Sequence, residues 1–189
     1  MSETATAKAQ PGKGERFINY LNELADNEDR AALAALRRSL GKSPGEAAEA
    51  HRYVLRFNPD PWEEWAYYLV AGLFAMHPES WRKAEGDKRL TNFGASFAWM
   101  KSKADSDSSI ERRFVALLDC HEDDLADHLR HAVSLLRSKE TPVDWLQLLR
   151  DLRNWNHEER RVQRNWARAF WGGNQSEDDN ADSNKAESE

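Results

Sequence analysis

A single cysteine, Cys120, in 189 residues excludes a disulfide scaffold and any multi-cysteine zinc or iron–sulfur site. Long apolar runs are equally scarce. The longest, Trp65–Met76, is interrupted by two tyrosines and is too short to span a bilayer, so no membrane partner is expected. Met1–Glu15 has no apolar segment of the kind a secretory signal needs, which makes a reducing, cytoplasmic setting the expectation. Strand-like alternation of β-branched residues is missing. So are G-x-S-x-G, the P-loop and G-x-G-x-x-G, and Cys120 has neither a Gly-rich loop nor a base at motif spacing. Nothing in the residues argues for catalysis or for a cofactor.

What remains reads as helix throughout, giving an all-α fold of two packed helical bundles. Leu33, Leu36 and Leu40 fall on one stripe, and so do Ile110, Phe114, Leu117 and Leu118. Leu125, Leu129, Val133 and Leu136, then Trp145, Leu148, Leu149 and Leu152, then Trp155, Val162, Trp166 and Ala169, repeat the 3.6-residue period. Capping-box spacings at Ser43/Glu46, Asp60/Glu63, Ser108/Glu111 and Thr141/Asp144 mark expected helix starts, three of them with proline at the first helical position. Residues 1–14 and 172–189 have almost nothing to bury and are expected to be disordered. An N-terminal bundle is expected over 15–92, with a Pro-, Gly- and charge-rich connecting loop at 78–92, and a C-terminal bundle over 93–171.

The net charge of −6 hides an asymmetry. After Trp171 there are six acids and one base, whereas 128–168 hold nine bases against five acids. Local charge, not the total, sets local affinity. Arg112 and Arg113 have no acid at i±3 or i±4, and Arg37 and Arg38 stand similarly on a leucine-faced helix. Arg160, Arg164 and Arg168 recur every four residues with Arg161 beside them, a row that repels itself by about 0.2–0.5 kcal/mol per pair. An anionic partner such as a phosphate backbone would relieve it. Alternatively, acids of other helices, such as Glu122, Asp123, Asp124 and Asp127, neutralise it across the bundle.

Eight tryptophans are many for this length. Trp145, Trp155 and Trp166 lie on apolar stripes and belong in the core, while Trp62, Trp65, Trp81 and Trp99 are undetermined and one of them could stack on an unpaired base. His121, His128, His131 and Cys120 lack a recognised metal-ligand spacing, so no metal site is expected.

The ordered series Ser109-Ile110-Glu111-Arg112-Arg113-Phe114, Leu117-Leu118, Leu125…His128-Leu129-Arg130 and Leu135-Leu136 resembles the CasB family. That family is the small subunit of Cascade, the type I-E CRISPR surveillance complex. The likeness continues through Val143-Asp144-Trp145, Leu148-Leu149, Asp151-Leu152, Trp155, Val162-Gln163, Trp166-Ala167 and Phe170-Trp171. Upstream, Phe93-Gly94, Phe97 and Leu36-Arg37-Arg38 look like the family's corresponding segments.

The resemblance implies a non-catalytic subunit, present as two copies beside other Cascade subunits. Such a subunit would brace guide RNA against target DNA and hold the displaced strand of the R-loop in antiviral defence, reading backbone rather than bases. It points to Arg112 and Arg113 first, then Arg37 and Arg38, with Lys101 plausible on its helix. Arg160, Arg161 and Arg164 rest mainly on the stripe. His157-Glu158-Glu159 departs from the basic run that would suit phosphate at the start of the last helix. The competing expectations are a helical protein–protein adaptor without nucleic-acid binding, and a helical hydrolase needing a carboxylate–histidine pocket.

Overall fold

The computed structural model describes residues 10–81, 91–103 and 108–172. Among these, nine α-helices and a few 3₁₀ turns account for the regular structure. They are α1 (Lys13–Asp26), α2 (Arg30–Ser39), α3 (His51–Val54), α4 (Glu64–Met76), α5 (Phe93–Ser102), α6 (Ser108–Asp119), α7 (Glu122–Ser138), α8 (Trp145–Leu152) and α9 (Arg161–Trp171). The extended backbone among the described residues is limited to one isolated parallel bridge between Ser80 and Val143.

Helix α1 begins at Lys13, inside the stretch expected to be tail. Glu15 accepts the Gly12 backbone N–H at 3.1 Å and pairs with Arg150 of α8 at 3.1 Å, while Lys13 pairs with Asp60 at 3.4 Å. The two ion pairs span 135 and 47 residues, and composition alone does not reveal them. Expected helix starts also move. Ser43 and Glu46 close only the 3₁₀ turn Pro44–Glu46. The α4 helix opens at Glu64 rather than just after Asp60. Thr141 is fully buried, and the α8 cap is Asp144, whose carboxylate accepts from Gln147 N at 2.9 Å.

The α4 helix is apolar on every side, because it is surrounded. It packs against α2 on one side and against α7 and α8 on the other, and Ala66 to Ala75 are all buried. Gly72 lets α2 approach: a Cβ there would sit 3.0 Å from Leu40 Cδ1. Phe74 meets the fully buried Trp145 edge to face at 5.7 Å. Burying a side chain such as Phe74 stabilises the fold by about 1.5–3 kcal/mol relative to exposure.

The two halves thus share one continuous core. A polar seam reinforces it. His77 Nε2 donates to the Thr141 carbonyl at 2.7 Å, Val143 N to the Glu79 carbonyl at 3.1 Å, and Trp81 N to the Val143 carbonyl at 3.2 Å. Trp145 Nε1 donates to the Glu79 carbonyl at 3.1 Å. The buried Glu63, just before α4, pairs with Arg153 at the end of α8. The start of the expected 78–92 connection is therefore anchored through 81, and 82–90 lie outside the described residues.

Within the C-terminal half, α5 lies flat on α9. Asn92 caps α5 by accepting from Ala95 N at 3.1 Å, and its amide donates to the Asn165 carbonyl at 3.2 Å. Phe93, Phe97, Phe114, Trp166 and Phe170 form a chain of ring contacts that binds α5, α6 and α9.

Candidate nucleic-acid interface

Helix α6 turns Ile110, Phe114, Leu117 and Leu118 inward, which forces Arg112 and Arg113 out into solvent. Neither arginine makes an ion pair or a side-chain hydrogen bond among the described residues. Consecutive helical residues diverge by about 100°, so the two guanidinium groups sweep different directions from one point on the helix.

Helices α6 and α9 run antiparallel. At one end, Phe114 meets Phe170 at 4.3 Å and Trp171 Nε1 donates to Glu111 Oε1 at 3.3 Å. At the other end, the Arg160 guanidinium donates to the Leu118 carbonyl, satisfying one of the open carbonyls in the last turn of α6. Arg160 is not a member of the helical row expected for it. It is the residue before α9, with φ 49° in the left-handed region, and its charge is turned onto α6. Arg161 pairs with Glu159 at 2.6 Å. Arg164 is exposed and has no ion pair among the described residues, but it shares a groove of about 450 Å³ with Asp119, Glu158, Glu159 and Arg160. Of the carboxylates at the start of this row, Glu159 holds Arg161, whereas Arg164 keeps no ion pair among the described residues.

Lys101 is half-buried and held, not displayed. Its Nζ lies 3.2 Å from Glu111 Oε2 and 5.2 Å from the Phe170 ring centre. The hydrogen bonds from Lys101 and then Trp171 hold the Glu111 carboxyl below its ordinary range. On α2, Arg37 is exposed and its Nε donates to the Leu33 carbonyl at 3.2 Å. Arg38 is engaged by Glu49, with Nη2 2.5 Å from Oε2, and this hydrogen-bonded guanidinium pulls the Glu49 carboxyl down. The structure therefore brings Lys101, Arg112, Arg113, Arg160, Arg161 and Arg164 onto the α5–α6–α9 unit. Arg37 and Arg38 stand on α2, which packs on α4 and the Ala48–Ala50 turn.

Among the described residues no acid of α7 pairs with these arginines; Asp127 pairs with Arg130 at 3.1 Å and Asp123 with His121 at 3.2 Å. Among the described residues no three His, Cys, Asp or Glu side chains are grouped to hold a metal, and no helix is long and apolar enough to cross a membrane. Burial, aided by the Asp124 charge, pushes the Cys120 thiol up to about 11. Trp145, Trp155 and Trp166 are buried as expected. Trp99 is 42% exposed, with Lys103 4.5 Å above its ring and Trp81 edge-on at 5.8 Å. The i, i+4 spacing of Trp99 and Lys103 is the sequence signal for that cation–aromatic pair, which the search for acid partners misses. Trp62, 61% exposed, lies under Arg153 at 5.4 Å.

The sequence and the described fold have clear relatives. Residues 32–171 match the CRISPR-associated protein Cse2 family. The curated Cse2 protein of Thermus thermophilus is 39% identical over 171 residues, spanning 88% of this chain and 94% of that protein. The crystal structure of M. ruber CasB is 34% identical with a TM-score of 0.69, over 86% of this chain and 94% of that one. A chain of a CRISPR RNA-guided surveillance complex is 32% identical with a TM-score of 0.70, over 84% and 91%. With three-quarters of its length matched in order and an all-helical fold in common, the chain belongs to the CRISPR-associated Cse2 family, the CasB proteins that its sequence resembles.

Proposed function

We propose that this chain is a non-catalytic small subunit of a type I-E CRISPR Cascade ribonucleoprotein in the cytoplasm. It sits there as two copies beside the other Cascade subunits. Its exposed arginines hold the backbones of guide RNA, target DNA and displaced strand, and so stabilise the R-loop in antiviral defence. The observation that carries this is the state of Arg112 and Arg113: two adjacent guanidinium groups, exposed on a rigid helix, with no carboxylate partner among the described residues. Family membership supports the assembly, since one relative is a chain of an RNA-guided surveillance complex.

The arginines divide by what they already hold. Arg112, Arg113, Arg37 and Arg164 have no ionic partner among the described residues and are the strongest candidates. Arg38, Arg161 and Lys101 must exchange Glu49, Glu159 and Glu111 for phosphate. Arg160 has committed its guanidinium to the Leu118 carbonyl and serves more by fixing α9 to α6. Guanidinium forks match phosphate oxygens without reading bases, as sequence-independent bracing requires.

The test is the double variant R112A/R113A, assembled with the remaining Cascade subunits and a guide RNA. R-loop affinity is expected to fall uniformly across target sequences, and the slope of log K against log salt to flatten by about 1–2. Unchanged affinity with an unchanged slope would remove these residues from the interface.

A further inference from the structure

The turn of α6 that carries Arg112 and Arg113 lies beside the point where the chain leaves α9. Trp171 is the last residue of α9, and its indole is bonded to Glu111, the immediate neighbour of Arg112. Arg168, one turn before Trp171, is exposed; it donates to Asn165 Oδ1 at 2.9 Å and pairs with no carboxylate among the described residues. Glu111 is occupied by Lys101 and Trp171. Three arginines without ionic partners among the described residues therefore lie within one helical turn of the Glu111–Trp171 contact, beside the point from which the chain continues. The opposite end of the α6–α9 pair, by contrast, has Asp119, Glu158 and Glu159 against Arg160 and Arg164.

What the sequence places next is acid. Glu177, Asp178, Asp179 and Asp182 all follow within ten residues of Gly172, with no base before Lys185. A peptide spans at most about 3.3–3.6 Å per residue, so the five steps from Gly172 to Glu177 bridge up to roughly 18 Å. That equals the length of the twelve-residue α6 at about 1.5 Å per residue. Covalent reach thus includes all three arginines, and a short tether makes the effective concentration of the acids about millimolar.

We propose that the acidic run Glu177–Asp182 is held against Arg112, Arg113 and Arg168 in the free protein, as an intramolecular counter-charge that phosphates must displace. The displacement rests on the function proposed above; the docking itself does not. The attachment is electrostatic, so salt weakens it. A ligand presenting several phosphates in fixed array displaces it, and an isolated phosphate does not.

The test uses the full chain and the full chain carrying E177Q/D178N/D179N/D182N. Without nucleic acid, the ¹H–¹⁵Nε resonances of Arg112, Arg113 and Arg168 are expected to differ between the two proteins at 50 mM NaCl. They should converge at 500 mM, where the screening length falls to about 4 Å. Identical resonances at 50 mM overturn the proposal. In a second arm, a 30-nucleotide single-stranded DNA is expected to bind the neutralised chain about 5–10-fold more tightly than the parent at 50 mM NaCl. That gain should vanish when R112A/R113A/R168A is added to both chains. A gain that persists in that background reflects net charge alone and overturns the assigned surface. Shifted resonances with no DNA binding by either chain uphold the docking and count instead against phosphate recognition by the isolated subunit.

Discussion

Gly94 of α5 lies against the backbone of Trp166 in α9: a Cβ at position 94 would stand 2.0 Å from the Trp166 carbonyl oxygen and 2.7 Å from its Cα. No rotamer change relieves such a contact, because both partners are main chain. The crossing fixes how α9, and with it Arg164 and Arg168, is presented beside α6.

G94A is therefore expected to destabilise the protein by about 3 kcal/mol or more, at or beyond the upper end of ordinary overpacking, measured by urea denaturation. In a helix with free space the same change would stabilise by about 1 kcal/mol. A raised urea midpoint would show that α5 and α9 do not meet this closely.

Asp151 on α8 accepts from Trp166 Nε1 at 2.6 Å and from Gln147 Nε2 at 2.8 Å. Burial outweighs these bonds and pushes its carboxyl from 3.8 up to about 6. The folded state holds the proton more tightly than the unfolded one. The stability this confers is complete below about pH 4 and lost as pH rises through about 6. D151N, which does not titrate, is expected to gain on the parent between pH 4 and 7 by on the order of 2–3 kcal/mol. Parallel stability–pH curves for the two proteins would refute this.

The elevated Cys120 thiol gives a kinetic prediction. With its titration near 11 rather than 9, the thiolate fraction at pH 8 is lower by about a hundredfold than for an ordinary thiol. A thiolate of higher pKa is a better nucleophile, so iodoacetamide should alkylate the native protein about tenfold more slowly than the urea-unfolded chain. Equal rates would place the thiol in open solvent.

The elements with one apolar face were legible in the sequence. The stripes on α2, α6, α7 and α8 point inward as their spacing requires, because a single buried side imposes the 3.6 period; on α9 Val162 and Trp166 do so, and Phe170 rather than Ala169 continues the buried side, with Trp155 lying before the helix. Helix α4 was harder to place, since burial on all sides erases periodicity. The arginines divide in the same way. Local spacing shows that Arg112 and Arg113 have no acid on their own helix, and among the described residues no other element supplies one. Arg38 and Lys101 are paired with Glu49 and Glu111, eleven and ten residues away, through turns and crossings that spacing does not encode. Arg160 sits one residue outside the helix in a left-handed conformation, and a regular i, i+4 pattern gives no sign of that. Asp151 lies between Arg150 and the buried Leu152, with Gln147 one turn before it, and its burial depends on Trp166 of α9, which the spacing within α8 does not reveal.

The packing of α4 between the two halves has a consequence for biosynthesis. Its partners α7 and α8 follow it in the chain, and Trp145, which closes over Phe74, is about 70 residues downstream. At about 5–20 residues per second, the most apolar helix of the protein waits on the order of 4–14 s for the segment that covers it. During that interval only α1, α2, α3 and the Pro44–Glu46 turn can shield it, and the side that α7 and α8 cover stays open. The nascent chain is thus expected to expose apolar helical surface until α8 emerges, and a chain truncated before α8 is expected to aggregate more readily than the full one.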